Sequence, residues 1–249
     1  MLIGITVFFY LTDRPSEARW LASGEREWLA GRIGYERRQI EAQHGYGMLR
    51  AFYDPKVMML ALNYVGIVTA SLGMLLFLPQ IIKELGVSNM QVGWLTMIPY
   101  ICGAISMVFC GWLSDRIGDR RWSLFTTCVI STIGLVIAGL TIGTWWSLAG
   151  ITIAAIGFYG TKGPFWSMPT MFLTGGAAAA GIAWINSLGN LGGFFGPTIV
   201  GWAKNLSGSF AGGLYALALC ALFSAVISLF WLHIPSRVAA PEGLAATAD

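Results

Sequence analysis

A single ammonium group, that of Lys162, lies within the long uncharged tracts that make up most of this chain. The tracts 122–161 and 163–203 on either side of it contain no Lys, Arg, Asp or Glu. A cation inside a bilayer costs about 2.5–3.5 kcal/mol on insertion scales, so such a residue is a functional candidate by default. An ammonium in this setting would hold an anion such as a carboxylate. The alternative is that Lys162 pairs with a backbone carbonyl freed by Pro164, or packs against another part of the protein.

Two amides and an indole accompany this ammonium in sequence. If the tracts are membrane helices, Lys162 and Asn190 lie at the same depth, roughly 15 Å from the same end of consecutive helices. Asn186 precedes Asn190 by four positions, so the two lie on one face of a helix. Trp166 follows Lys162 at the same spacing and therefore shares a face with it. We predict that these four residues bind the substrate, with the indole as a stacking wall. Packing is the alternative, because membrane helices also use Asn for interhelical hydrogen bonds.

Polar-tipped residues on the first uncharged tract are further candidates. Asn63 and Tyr64 lie roughly 10 Å from the start of the tract that follows residue 56, and we predict that both contact the substrate. Tyr100 is a candidate of the same kind on the next tract. Gln80 and Gln91 flank a loop and are interpreted as structural.

A dense charged cluster, GWLSDRIGDRRW at 111–122, lies between two of the uncharged tracts. We predict that Asp115, Arg116, Arg120 and Arg121 form charge-assisted pairs at neighbouring helix ends and act as a cytoplasmic gate. Such pairs would latch one helix bundle against another and break when the bundle rocks. The alternative is that the arginines serve only to orient the chain in the membrane.

The composition identifies an integral membrane protein. Of the 249 residues, 56% are hydrophobic and 11% are charged, whereas soluble domains carry about 25% charged residues. Residues 12–56 hold eight of the 15 basic and seven of the 12 acidic side chains. The rest consists of uncharged tracts, and about 20 apolar residues span the roughly 30 Å hydrocarbon core of a bilayer. Soluble, disordered, nucleic-acid-binding and secreted disulfide-rich proteins are therefore excluded.

The chain is predicted to be an all-α membrane protein with a six-helix bundle at 57–232. Open sheets cannot cross lipid, because their edge N–H and C=O groups would lack partners, and the tracts do not alternate as barrel strands do. Prolines inside the tracts are interpreted as kinks and not as loops. The predicted spans are 57–82, 89–113, 122–141, 145–171, 179–203 and 211–232.

Glycines at four-residue spacing predict close contact between helices. Gly189 with Gly193, and Gly192 with Gly196, form such pairs in one predicted span. Small residues at this spacing let helix backbones approach closely. The contacts would allow helices to slide during a rocking motion, and static packing is the alternative.

The two ends of the chain are interpreted separately. Residues 1–11, MLIGITVFFYL, rise only about 16 Å as a helix, half of what a crossing requires. A signal peptide would need a basic n-region and a small-residue cleavage site, and neither is present. We interpret 1–11 as the end of a truncated transmembrane helix and 233–249 as a cytoplasmic tail.

Residues 12–56 are predicted to form a cytoplasmic loop that contains one helix. Ser23 is expected to cap a helix that runs to Gln43, with Glu25 and Glu27 in its first turn, where the helix dipole favours acids. Apolar and charged residues occupy different faces of this helix. It is interpreted as an amphipathic helix along the membrane surface, with a solvated connecting helix as the alternative.

The distribution of basic residues predicts the orientation. If 12–56 is cytoplasmic, 12 basic residues lie on that side, and the opposite side receives Lys83 and Lys204. This is a strong positive-inside bias. Both ends of the six-helix unit are then expected to face the cytoplasm, in a multi-pass protein of the cell (inner) membrane.

Three strings resemble those of the major facilitator superfamily. The pattern GxxSDRxGxRR at 111–121 is similar to the conserved cytoplasmic loop between helices 8 and 9 of that family. With LPQIIK and SNMQVG within 78–93, and GIAWINSLGNLGG at 181–193, it is similar to the anion:cation symporter family. Bacterial members of that family include tartrate-, phthalate- and hydroxyphenylacetate-type permeases. The resemblance covers essentially the whole chain, with 1–11 as the end of helix 6 and 57–232 as helices 7–12.

The resemblance implies secondary transport of a small organic anion with protons, by alternating access between two six-helix halves. It also implies that helices 10 and 11 contact substrate around Trp and Asn positions, which here are Trp166, Asn186 and Asn190. The N-terminal half of the family pattern, which carries the acidic residues of proton coupling, is absent from this sequence. No coupling residue is therefore assigned. The expected partners are the anion, protons, the lipid bilayer and an N-terminal six-helix half.

A non-transporting membrane sensor or assembly subunit of the same fold is the alternative function, because six helices do not enclose a two-sided pathway by themselves. No enzyme is predicted, since the spans contain no nucleophile–base set or paired carboxylates, and His44 and His233 lie at or outside the membrane boundary. The four cysteines lack metal-ligand spacing. They are interpreted as packing residues, and no metal or cofactor is predicted.

Overall fold

The structure is a computed structural model that describes residues 7, 17, 18, 20–44, 50–173 and 175–232. The chain divides into two compact units, Met1–Tyr46 and Gly47–Asp249. The predicted tail at 233–249, and all of the predicted helix end at 1–11 except Val7, lie outside the described residues.

The first unit contains helix α1, Ser23–His44. Ser23 is its first residue and not the predicted cap. The side chain of Glu25 accepts a hydrogen bond from the backbone N–H of Ala22 at 3.1 Å. An acid in the first turn thereby satisfies a backbone donor at the helix start. Trp28 is about half exposed, and the membrane-surface position of this helix stays a prediction.

The second unit is helical throughout its described part. Its helices are α2 (Arg50–Tyr53), α3 (Pro55–Lys83), α4 (Asn89–Ile117), α5 (Arg120–Leu140), α6 (Trp145–Gly160), α7 (Lys162–Ser167), α8 (Gly175–Ser207) and α9 (Ala211–Phe230), with a 3-10 turn at Pro169–Met171.

Four helices in the described ranges, α3, α4, α5 and α9, are long and apolar enough to cross a membrane. The chain is therefore an all-α membrane protein, and four of the six predicted spans meet this criterion within the described residues. The predicted span 145–171 is divided among α6, α7 and the 3-10 turn. The span 179–203 lies within α8, which has 33 residues but whose glycines and three asparagines make it less apolar.

Proline chemistry explains the divided span. Pro164 has no N–H to donate to the carbonyl of Gly160, and its ring crowds that carbonyl, so α6 ends there. Pro169 then begins the 3-10 turn. By contrast, α3, α4 and α8 continue through their internal prolines. Before Pro164 the interruption is the single residue Thr161, which keeps a right-handed helical conformation, whereas at Pro169 the chain changes to a 3-10 turn.

Side-chain caps fix the helix starts. Asp54 caps α3 by accepting from the N–H of Lys56 at 2.7 Å. Ser88 and Gln91 form a reciprocal capping box at the start of α4, which confirms the structural interpretation of Gln91. Each contact satisfies a backbone donor that the first turn of a helix leaves without a partner.

Glycines bring α3 and α8 into backbone contact. A Cβ atom at Gly196 would overlap the carbonyl oxygen of Thr69, and one at Gly192 would lie 2.7 Å from the N of Thr69. Helices in lipid associate through such close packing, because the surrounding chains are as apolar as the side chains. The predicted close approach of helices through these glycines is confirmed.

A second glycine contact joins α5 to α6. A Cβ at Gly150 would lie 2.9 Å from the carbonyl oxygen of Gly134, and the hydroxyl of Ser131 donates to the carbonyl of Ala154 at 3.3 Å. The apolar core lies between α3, α5, α6 and α9. Its fully buried side chains include Met74, Leu78, Leu135, Ile151 and Leu214.

Helix α4 is held along one narrow stripe. Only 17% of its most apolar stretch is buried, against 61% of the corresponding stretch of α3. Its buried residues are Pro99, Gly103, Ser106 and Ser114, and the hydroxyl of Ser106 donates to the carbonyl of Ile156 on α6 at 2.7 Å. Most of the surface of α4 is therefore open to whatever surrounds this unit.

We expect Gly196→Ala to lower the free energy of unfolding by about 1–3 kcal/mol, because the added methyl group forces α3 and α8 apart. Thermal unfolding of the purified protein in detergent micelles measures the effect. Gly201→Ala, on the same helix, is the matched control, since its Cβ would lie 3.7 Å from Phe77, an ordinary contact. Equal unfolding temperatures for the two variants would contradict the backbone contact.

Candidate functional site

Lys162 occupies the break between two helices. It is the first residue of α7, and the preceding Thr161 has φ −68° and ψ −26°, so the chain keeps a right-handed helical course through the break. The hydroxyl of Thr161 donates to the carbonyl of Phe158 at 2.7 Å. The proline that ends α6 thus places an ammonium at the point where the helix is interrupted.

The ammonium of Lys162 lies over an aromatic ring. Its Nζ is 5.4 Å from the ring centroid of Tyr64 on α3, within the range of a cation–π contact. Lys162 is partly buried. In the part of the chain that the structure describes, it forms no ion pair with a carboxylate. Its positive charge is therefore met by the face of a ring and not by an acid.

Three aromatic rings form the wall beside this ammonium. Tyr64 stacks on Phe165 with centroids 4.8 Å apart, and Trp166 meets Tyr64 edge-on at 5.1 Å. A Cβ at Gly189 on α8 would overlap the Tyr64 ring. The structure therefore brings together Lys162, Trp166 and Tyr64, as predicted from sequence, and adds Phe165.

The two predicted asparagines lie on the open side of α8. Asn186 and Asn190 are both exposed, three positions before and one position after the glycine that contacts Tyr64. Neither amide forms a hydrogen bond within the described residues. Neither amide therefore takes part in an interhelical hydrogen bond in the described part of this unit.

Asn63 lies elsewhere. It is fully buried, and its Nδ2 donates to the carbonyl of Ser224 at 2.6 Å and to the hydroxyl of Ser228 at 2.9 Å. In return the hydroxyl of Ser224 donates to the backbone carbonyl of Asn63 at 2.9 Å. These bonds join α3 to α9. The structure therefore does not place Asn63 with Lys162 and its aromatic wall. Asn63, the residue before Tyr64, instead holds α3 to α9.

The four predicted gate residues lie together between α4 and α5. The Nη2 of Arg120 is 2.9 Å from the Oδ1 of Asp115, whose side chain is 68% exposed. Arg116 and Arg121 each lie over a nearby Trp ring, with 5.4 Å from Cζ to the centroid. Gly118, with φ 76°, ends α4 in the left-handed conformation that glycine favours. The ion pair therefore joins two consecutive helix ends.

Sequence reasoning missed two aromatic residues near Lys162. Phe165 forms part of the wall, and Tyr159 on α6 lies 6.3 Å from Tyr100 on α4 between ring centroids. Both are three positions from Lys162, one before it and one after. Helical spacing from the ammonium was the signal that could have found them.

A family model described as Major Facilitator Superfamily matches residues 1–197 and, in a second match, 58–247. The chain belongs to the major facilitator superfamily. The resemblance predicted from the three sequence strings is thereby confirmed.

Relatives in this superfamily carry transport names. A protein of Agrobacterium vitis named "Putative tartrate transporter" is 41% identical over 98% of this chain and 55% of its own length. A "Quinolone resistance transporter" of Acinetobacter baumannii is 33% identical over 92% of this chain and 53% of its own length. "Inner membrane transport protein RhmT" of Escherichia coli (strain K12) is 33% identical over 95% and 54%.

The chain spans about half the length of the curated relatives it matches. Membership of the major facilitator superfamily, together with the relatives' names and the apolar helices, identifies a multi-pass membrane protein. The names of these relatives are those of transporters and not of enzymes.

We expect Asn63→Ala to lower the free energy of unfolding by about 1–2 kcal/mol, because it removes two interhelical hydrogen bonds and leaves the Ser228 hydroxyl with fewer partners. The unfolding temperature in micelles measures the loss. Asn190→Ala is the control, since that amide is exposed and its removal should leave the unfolding temperature unchanged. A larger loss for Asn190→Ala would contradict the placement of the two asparagines.

Proposed function

We propose that this chain is the C-terminal half of a secondary transporter for a small organic anion that carries a carboxylate. Residues 57–232 would form helices 7–12, with α6 and α7 together as helix 10. Residues 1–11 would end helix 6, 12–56 would be the cytoplasmic loop between the halves, and 233–249 a cytoplasmic tail. The carboxylate would move with protons, by alternating access, across the cell (inner) membrane. The transport names of the relatives do not favour the alternative, a sensor or assembly subunit.

The observation that carries the proposal is the contact of the Lys162 ammonium with the Tyr64 ring, without a carboxylate partner in the described part of the chain. A cation–π contact contributes about 0.5–2 kcal/mol, whereas a hydrogen bond to a charged group contributes about 1.5–3 kcal/mol. A substrate carboxylate that reaches Lys162 therefore stabilises the ammonium more than the Tyr64 ring does. The ring holds the ammonium in place until then.

Three further residues complete the proposed site. Trp166 stands edge-on to Tyr64 and offers an apolar wall for the substrate's carbon chain. Asn186 and Asn190 are exposed on α8, and their amides form no hydrogen bond within the part of the chain that the structure describes. Amide N–H groups suit the second oxygen of a carboxylate or a hydroxyl of the substrate.

The packing supports a rocking mechanism. Backbone contacts through glycines hold α3 to α8 and α5 to α6, so these pairs would move as rigid bodies. In transporters of this kind, one bundle moves against the other around a site near the middle of the bilayer. The pair Asp115–Arg120 would steady the cytoplasmic side between movements. The name of the Agrobacterium vitis relatives supports a carboxylate as the cargo.

We expect Lys162→Ala in the complete protein to abolish uptake while membrane insertion stays intact, because the carboxylate loses its charge partner. A screen of labelled carboxylates in membrane vesicles at imposed pH gradients first identifies the substrate, and uptake of that carboxylate is then measured. Lys204→Ala is the matched control, since Lys204 also lies over a ring, that of Phe210, at 3.7 Å. Unchanged uptake by Lys162→Ala would overturn the site.

The gate gives a separate prediction. Asp115→Asn breaks an exposed ion pair, and such pairs contribute only about 0–1 kcal/mol. We therefore expect an unchanged unfolding temperature but a several-fold lower maximal uptake rate. Asp119→Asn is the control, because an amide oxygen also caps α5. Normal uptake by Asp115→Asn would assign the arginines to orientation in the membrane only.

A further inference from the structure

Aromatic rings flank the loop that joins α4 to α5. On α4, the rings of Phe109 and Trp112 have centroids 6.1 Å apart. On α5, the rings of Trp122 and Phe125 have centroids 5.7 Å apart and meet edge-on. Phe109 and the two Trp side chains are each about half exposed. Large apolar rings on both helices therefore face whatever surrounds the unit at this end.

Each of the two Trp rings carries an arginine. The Cζ of Arg116 is 5.4 Å from the ring centroid of Trp112, and the Cζ of Arg121 is 5.4 Å from that of Trp122. Arg116 is exposed, and within the described ranges it forms no ion pair with a carboxylate. A planar guanidinium stacks on an aromatic face. The rings therefore hold two cations at the ends of the two helices.

The two acids of the loop are engaged by neighbouring groups. The Oδ1 of Asp115 lies 2.9 Å from the Nη2 of Arg120. The Oδ1 of Asp119 accepts a hydrogen bond from the backbone N–H of Arg121 at 3.0 Å and caps α5. The ion pair joins the sequence neighbours of Arg116 and Arg121, so both of these arginines lie at one turn. Three arginines against two aspartates leave the loop with a net charge of +1.

Charge, indole and apolar ring follow one another with increasing depth on α4. Both α4 and α5 are long and apolar enough to cross a membrane, so their shared loop would lie at its surface. Arg116 is about 6 Å from Trp112 and about 10 Å from Phe109 along the helix axis. A phospholipid has the same order, with the phosphate outermost and the acyl chains deepest. Indole rings are enriched at the level between these two layers.

We propose that Arg116, Arg121, Trp112 and Trp122 form a binding site for an anionic phospholipid. The guanidinium groups bind the phosphate, because their N–H groups match its oxygens. The rings pack against the upper part of the acyl chains. A zwitterionic lipid fits less well, since its headgroup carries a cation that the positive loop repels. The inference goes beyond the proposed function and requires only that α4 and α5 cross a membrane.

The test measures which lipids the complete protein retains after purification in detergent, by native mass spectrometry. Phosphatidylglycerol and phosphatidylcholine with identical acyl chains are added in equal amounts. We expect a preference of about tenfold or more for phosphatidylglycerol, because two arginines attract its net negative charge. Equal retention of the two lipids would assign the rings to contact with bulk lipid and would overturn the proposal.

Arg116→Gln removes one of the two cations. We expect it to reduce the preference about fivefold. Lys83→Gln is the matched control, because it removes the same charge at the other end of α4, where the Lys83 Nζ lies 2.6 Å from the Oδ1 of Asn89. That variant should keep the wild-type preference. An equal loss in both variants would indicate attraction to the overall positive charge of the protein, and the site would then be rejected.

Trp112→Leu keeps the charge and removes the ring on which Arg116 lies. We expect about threefold weaker retention of phosphatidylglycerol, since the guanidinium loses the contact that positions it. Trp94→Leu is the control, because Trp94 is 64% exposed on the same helix, far from the loop. Unaltered retention by Trp112→Leu would contradict a site built from ring and cation together.

Glycerol 3-phosphate separates a lipid from a soluble phosphate compound, because it presents the phosphate without acyl chains. We expect that a large excess of it does not displace phosphatidylglycerol. Displacement would identify a site for soluble phosphates and would overturn the assignment to lipid. None of these measurements involves uptake, so the lipid site and the proposed function can each fail while the other stands.

Discussion

In the described part of the chain the Lys162 cation meets no acid that would neutralise it, and the rest of the structure depends on this constraint. The Lys162 ammonium is partly buried in an apolar unit and meets the ring of Tyr64. An acid beside it would satisfy the charge permanently and leave nothing to attract an anion. A ring face lowers the cost of burial by a smaller amount. Stability is therefore partly given up at this point, as expected of the anion site proposed above.

The remainder of the unit keeps that cation in place. Gly189 lets α8 approach the Tyr64 ring closely, and Phe165 stacks on that ring. Asn63 ties the same turn of α3 to α9 through two hydrogen bonds. Because a ring held from several directions cannot rotate away, the ammonium has one defined place to lie. Close packing and buried hydrogen bonds thus serve the site although neither touches a substrate.

Local sequence predicted the features of the site that depend on the geometry of one helix. It did not predict the features that depend on how a neighbouring helix packs. The spacing of Lys162 and Trp166 placed both correctly on one side of α7. Asn63 and Asn190 are the same residue type in equally apolar surroundings, yet one is buried and the other exposed. Whether an amide meets a partner such as Ser228 depends on how two distant helices pack. The pattern of a single span does not contain that information.

The position of Tyr64 in the chain also bears on how the protein is made, because the ribosome synthesises Tyr64 before Lys162. Helix α3 precedes Lys162 by about a hundred residues, which corresponds to roughly 5–20 s of synthesis. If the helices enter the bilayer in chain order, the ring of Tyr64 would already be embedded when the segment that carries the ammonium arrives. A charged stretch that would insert poorly by itself thus finds a waiting partner. The contact would then assist biogenesis as well as transport.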